Sequence, residues 1–89
     1  MITEIQKELL QHMLGAGSHY LKKQWGFRNH YCASDNPECK NRLALEALEA
    51  EGFVKSGERL GHKTFWATQK GALAIGFKPY QLRKTELAN

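Results

Sequence analysis

Leu45-Glu46-Ala47-Leu48-Glu49-Ala50-Glu51-Gly52-Phe53-Val54 is the stretch that decides how this chain folds. Apolar side chains recur at helical spacing as far as Leu48, Gly52 supplies a stop, and an apolar pair restarts the chain as a strand. Further on, Thr64-Phe65-Trp66-Ala67 has the aromatic and β-branched content of a return strand. The intervening Ser56-Gly57-Glu58-Arg59-Leu60-Gly61-His62-Lys63 is polar and bounded by glycines. The pair therefore reads as a β-hairpin with short strands, 53–55 and 64–67, and a long flexible tip. Leu48 and Phe53 are expected to meet across the Gly52 turn, with Phe65 or Trp66 covering the same core.

Working upstream, Ser34-Asp35-Asn36-Pro37 is a helix start, with Asn36 as N-cap and Pro37 at the first helical position. The predicted helix is 37–51, with Cys39, Leu43, Ala44, Ala47 and Leu48 as its apolar stripe. Thr3-Glu4-Ile5-Gln6 fits a capping box that opens a helix over 4–14. Ile5, Leu9, Leu10, Met13 and Leu14 face inward there, and Gly15 ends it. Residues 19–26 fit either one helical turn or an extended loop. Phe27 to Cys32 alternates, as a short strand or extended segment would. Downstream, Thr68 can cap a short last helix carrying Leu73 and Ile75, closed by Gly76 and broken at Lys78-Pro79. The predicted core is Ile5, Leu9, Leu10, Met13, Leu43, Ala44, Ala47, Leu48, Phe53, Phe65 or Trp66, Leu73 and Ile75.

With 89 residues the chain has room for one domain, expected over 1–79, followed by a polar tail over 80–89. A run apolar enough to span a membrane is lacking, and the N-terminus enters an amphipathic pattern directly, which leads us to expect a cytoplasmic protein without a secretory signal. Cys32 and Cys39 are too few for a disulfide scaffold and are expected to be reduced. The net charge is +4, and it is unevenly spread. Residues 36–52 carry four carboxylates against Lys40 and Arg42, whereas seven Lys/Arg face only Glu58 and Glu86 from Phe53 onward.

The fold class expected is therefore small α+β: helix, extended segment, helix, β-hairpin wing, short helix. The run from Leu45 to Val54, a basic loop, and then Phe65-Trp66-Ala67-Thr68-Gln69-Lys70-Gly71 resembles the latter half of many winged-helix domains. The N-terminal half departs from that family, because 19–32 occupy the place of a helix without showing a helical stripe. The order of helix, Arg28-Asn29-His30-Tyr31-Cys32, polar break, helix and wing also resembles small uncharacterised proteins of phages and prophages. Fold resemblance of this kind says little about function.

The winged-helix resemblance implies double-stranded DNA as partner, with the 37–51 helix in the major groove and the wing 55–63 on the backbone. The candidate contacts are Arg28, Lys40, Asn41, Arg42, Lys55, Arg59, His62 and Lys63, with Lys22 and Lys23 as further phosphate contacts. Asn41 and Arg42 are suited to base edges. Asp35 and Glu38 oppose phosphate at the same helix end, although carboxylates there also suit the helix dipole. The alternative is a phage-type module that binds a host protein. An acidic helix beside a basic hairpin would orient such a partner, and Tyr20, Trp25, Phe27 and Tyr31 could anchor it. The simpler reading of Trp25 and Phe27 is that they fill the core, and a homodimer is a further option. His30, Cys32 and Cys39, with His19 or His62, make a weak zinc set without any C-x-x-C pair, so no metal and no other cofactor is expected. A disulfide between the two cysteines is the other option weighed. Glu46, Glu49 and Glu51 converge with no His, and the glycines flank a hairpin, so an enzyme is not expected.

Overall fold

The structure is a computed structural model and describes residues 2–17, 29–33, 36 and 38–78. The described elements are α1 (Glu4–Leu14), β1 (Tyr31–Cys32), α2 (Lys40–Ala50), β2 (Val54–Arg59), β3 (His62–Ala67) and α3 (Gln69–Ala74). The strands form one antiparallel sheet in the order β1-β3-β2, so the protein is a small α+β domain. Among the described residues no helix is long and apolar enough to cross a membrane. Met1, the segment 18–28, Ser34, Asp35, Pro37 and the tail from Pro79 lie outside the described residues. So do the expectations placed on them, including Arg28 and the aromatic anchors Tyr20, Trp25 and Phe27.

Local sequence sets the helix ends. The Thr3 hydroxyl accepts from the Gln6 amide at 3.2 Å, and the Gln6 side chain accepts from the Thr3 amide at 2.9 Å, which completes the expected capping box. At the other end Ala16 and Gly15 donate back to Gln11 and His12, a Schellman closure around left-handed Gly15. The same pair of bonds closes α2 (Phe53 to Leu48, Gly52 to Glu49) and α3 (Phe77 to Ala72, Gly76 to Leu73). In α1 and α3 the residue after the glycine, Ala16 or Phe77, is buried, so the cap also feeds the core.

The α2 N-terminus differs from expectation. Asn36 does organise a turn, accepting from the Glu38 amide on its side chain and from the Cys39 amide on its carbonyl. The turn closes between residues three apart, so the α-helical bonds begin only with Leu43 to Cys39 and the helix starts at Lys40. The helix is also rotated relative to the predicted stripe. Leu45 and Leu48 are fully buried, Ala44 is half-buried, and Leu43 and Ala47 face solvent, Leu43 at 53% exposure. Apolar residues surround most of this helix, so apolarity alone does not fix its rotation. Polar bonds from its flanks orient it: Gln6 Nε2 to the Ala44 carbonyl at 3.4 Å, Asn41 to the Tyr31 hydroxyl, and the Ser56 hydroxyl to Glu49.

The core joins Leu9, Leu10, Met13 and Leu14 of α1 to Leu45, Leu48, Val54, Phe65, Ala67, Ala72, Ile75 and Phe77. Ile5 and Leu73, expected inside, are about half exposed: Ile5 sits on the rim of a groove, and Leu73 on the outer side of the short α3. Phe53 is partly buried, and its ring lies 4.5 Å from Lys70 Nζ.

The hairpin is longer and its tip tighter than expected. Strand pairing runs continuously from Val54↔Ala67 to Arg59↔His62, leaving only Leu60 and Gly61 in the turn. Both have positive φ, 54° and 81°, as a primed two-residue turn of the I′ class requires. Gly57, read as part of a flexible loop, is a strand residue. A Cβ there would lie 2.8 Å from the Trp66 indole, so the ring packs down onto the bare backbone. β1 extends its pairing by a side chain: the Asn29 amide group donates to the Ala67 carbonyl at 3.1 Å and accepts from the Ala67 N–H at 2.7 Å.

Candidate nucleic-acid interface

The register of the β2–β3 arm sorts its side chains onto two faces, because directly opposed residues share a face and successive residues alternate. Val54, Ala67, Ser56, Phe65, Glu58 and Lys63 fall on the face toward the helices. Val54, Phe65 and Ala67 are buried there, and the Ser56 hydroxyl donates to the Glu49 carboxylate at 2.5 Å, tying the arm to α2. Lys63 lies on this side too, its ammonium 5.2 Å from the Phe65 ring centre. The outer face carries Lys55 and Trp66, Gly57 and Thr64, Arg59 and His62. Cys32, paired with Thr64, extends that face onto β1.

Lys55, Arg59 and His62 are exposed, Trp66 is half-buried over Gly57, and Thr64 between them is buried. Among the described residues, the carboxylates associated with the arm, Glu58 and the α2 residue Glu49, are on the helix-facing side. Among the described residues, the outer face of the arm thus combines two permanent cations, an imidazole and an indole without an acidic residue. Alternation along two strands produces this separation from a sequence in which Glu58 stands next to Arg59. Such a surface can contact phosphates through the cations and stack or pack through the indole.

The other candidate contacts are dispersed. Lys40 is exposed at the first turn of α2. Asn41 turns toward β1 and donates to the Tyr31 hydroxyl at 3.2 Å. Arg42 lies along the helix, its Nε 3.9 Å from the Glu46 carboxylate, with the side chain only 20% exposed. The outward surface of α2 is instead formed by Lys40, Leu43, Ala47 and Ala50. The structure therefore gathers Lys55, Arg59 and His62, and separates them from Lys63, Asn41 and Arg42. It adds Trp66 and the tip residue Leu60, neither of which the sequence reading assigned to the site. Strand alternation carried along the hairpin would have found Trp66, whereas Leu60 lies in the turn, where alternation does not apply.

Asn41, Tyr31 and His12 border a groove of about 330 Å³ between α1 and α2, completed by Ile5, Glu8 and Leu9. The His12 and Tyr31 rings meet edge to face with centroids 5.5 Å apart. Among the described residues no three His, Cys, Asp or Glu side chains gather as a metal site. Cys32 and Cys39 are free thiols, and Cys32 Sγ lies 3.9 Å from the Thr64 hydroxyl. Compared with models of protein families, with curated proteins and with solved structures, the chain has no significant match.

Proposed function

We propose that the chain is a non-enzymatic nucleic-acid-binding module of winged-helix type. In this reading the β2–β3 arm is the wing, and its outer face lies against the phosphate backbone of duplex DNA. The observation that carries the proposal is the separation of charge across the arm, with Lys55, Arg59 and His62 on one face and Glu58 on the other. The order helix, strand, helix, hairpin and the sheet order β1-β3-β2 support the winged-helix assignment. The contact is mainly to the backbone, because α2 presents Leu43, Ala47 and Ala50 where base-reading side chains would be needed, while Asn41 and Arg42 are engaged elsewhere.

Fluorescence anisotropy with a labelled duplex over a salt series tests this. Backbone binding gives a logarithmic affinity that falls linearly with the logarithm of salt concentration. The double substitution Lys55→Ala, Arg59→Ala should weaken binding to all sequences alike and reduce the salt slope by about 2, roughly one for each phosphate contact. Absence of binding to any duplex at low salt would remove the proposal.

A protein partner is the second reading, and the exposed Leu43 with Ala47 and Ala50 on α2 favours it. A photo-crosslinker at position 43 should then capture one stoichiometric partner after nuclease treatment. If crosslinks are scattered, or vanish with the nucleic acid, that surface has no protein partner.

A further inference from the structure

We propose that Leu60 is an apolar wedge that enters a base step of duplex DNA, so that the arm bends the DNA it binds. This rests on the nucleic-acid reading above and specifies its mode: minor-groove contact at a deformable step. Three observations converge on it. Leu60 is the most exposed large apolar residue described, at 92%. It has φ 54°, a left-handed backbone conformation that its side chain disfavours and that Asn or Gly would adopt readily. It also stands at the extremity of the arm, directly between the paired Arg59 and His62.

Neither packing nor turn chemistry accounts for a leucine at this position. The turn is served by Gly61, where an added Cβ would meet nothing within 4 Å and φ is 81°. The side chain of Leu60 makes no contribution to the core. What the position does provide is reach. An apolar group at the tip of a narrow two-stranded arm, with cations immediately behind it, has the shape and charge to enter the minor groove while Arg59 and Lys55 hold phosphates. Apolar side chains inserted in this way unstack a base step and kink the duplex by about 20–90°. The pyrimidine–purine steps, which unstack most easily, are the preferred sites. Glu58, the one carboxylate near the tip among the described residues, lies one pair back, opposite Lys63 on the other face of the arm.

The test uses the full chain and a duplex with a central TA step, labelled at both ends for energy transfer and carrying 2-aminopurine beside that step. Wild-type protein should shorten the end-to-end distance and raise 2-aminopurine fluorescence. Leu60→Asn, which suits the turn, should stay folded and lose both signals even at protein concentrations that saturate the duplex. Leu60→Met, which keeps an apolar wedge, should retain them. If wild type binds but does not bend, or Leu60→Asn bends equally, the wedge is overturned while backbone binding stands. If wild type binds no duplex, both proposals fall. Association with vesicles of phosphatidylglycerol and phosphatidylcholine in place of the duplex would reassign the tip to a lipid surface and overturn the wedge.

Discussion

Gly71 and Thr68 make the joint between the hairpin and α3, and single atoms govern it. The Thr68 hydroxyl donates toward the Gly52 carbonyl at 2.7 Å and accepts from the Gly71 amide at 3.2 Å. A Cβ on Gly71 would collide with the Phe53 carbonyl oxygen, a backbone atom that cannot swing aside. Gly71→Ala should therefore cost on the order of 2–3 kcal/mol, read as a lower urea midpoint with an unchanged m-value. Leu60 behaves in the opposite sense. Relieving its left-handed backbone with Leu60→Gly should stabilise the fold by about 1 kcal/mol, raising Tm by roughly 4–8 °C for a domain of this size. A fall in Tm would mean that Leu60 makes folded-state contacts that its exposure argues against.

The β2–β3 arm stands on a contact between elements, the Trp66 indole lying on Gly57 of the neighbouring strand. Gly57→Ala should destabilise the protein by about 1 kcal/mol, because the methyl group displaces the ring. In a Trp66→Ala background the same change should be neutral or favourable, since the obstruction is gone and alanine restricts the unfolded chain. Additive effects in this double-mutant cycle would contradict the packing. The same contact explains where the sequence was legible and where it was not. The capping box at Thr3 and Gln6 and the glycine stops were readable because their partners lie within a few residues. The role of Gly57 depends on a residue of the opposite strand, so polarity and glycine made 56–63 look like a loop when most of it is strand. The α2 rotation was hidden for a related reason. Leu43, Ala44, Leu45, Ala47 and Leu48 offer several apolar stripes, and the choice is made by bonds to Gln6, Tyr31 and Ser56 on other elements. Lys55, Arg59 and His62 were visible as a basic wing, but their common face, and the exclusion of Lys63 from it, required the register.

Across the whole molecule, the helices build a core from α1, α2 and α3, and the hairpin carries charge outward from it. The groove bordered by Ile5, Glu8 and His12 lies between α1 and α2, whereas the cationic face belongs to the side of the sheet turned away from the helices. A nucleic acid held by the arm would thus leave the Leu43 surface of α2 available. In the function proposed above, duplex is bound by the outer arm face and its tip. The most direct measurement is an amide NMR titration of the 15N-labelled chain with a short duplex at low salt. Shift changes should concentrate at Lys55, Gly57, Arg59, Leu60, Gly61, His62 and Trp66, with Leu43 to Ala50 nearly unmoved. Changes centred on α2, or none anywhere as duplex is added in excess, would contradict it.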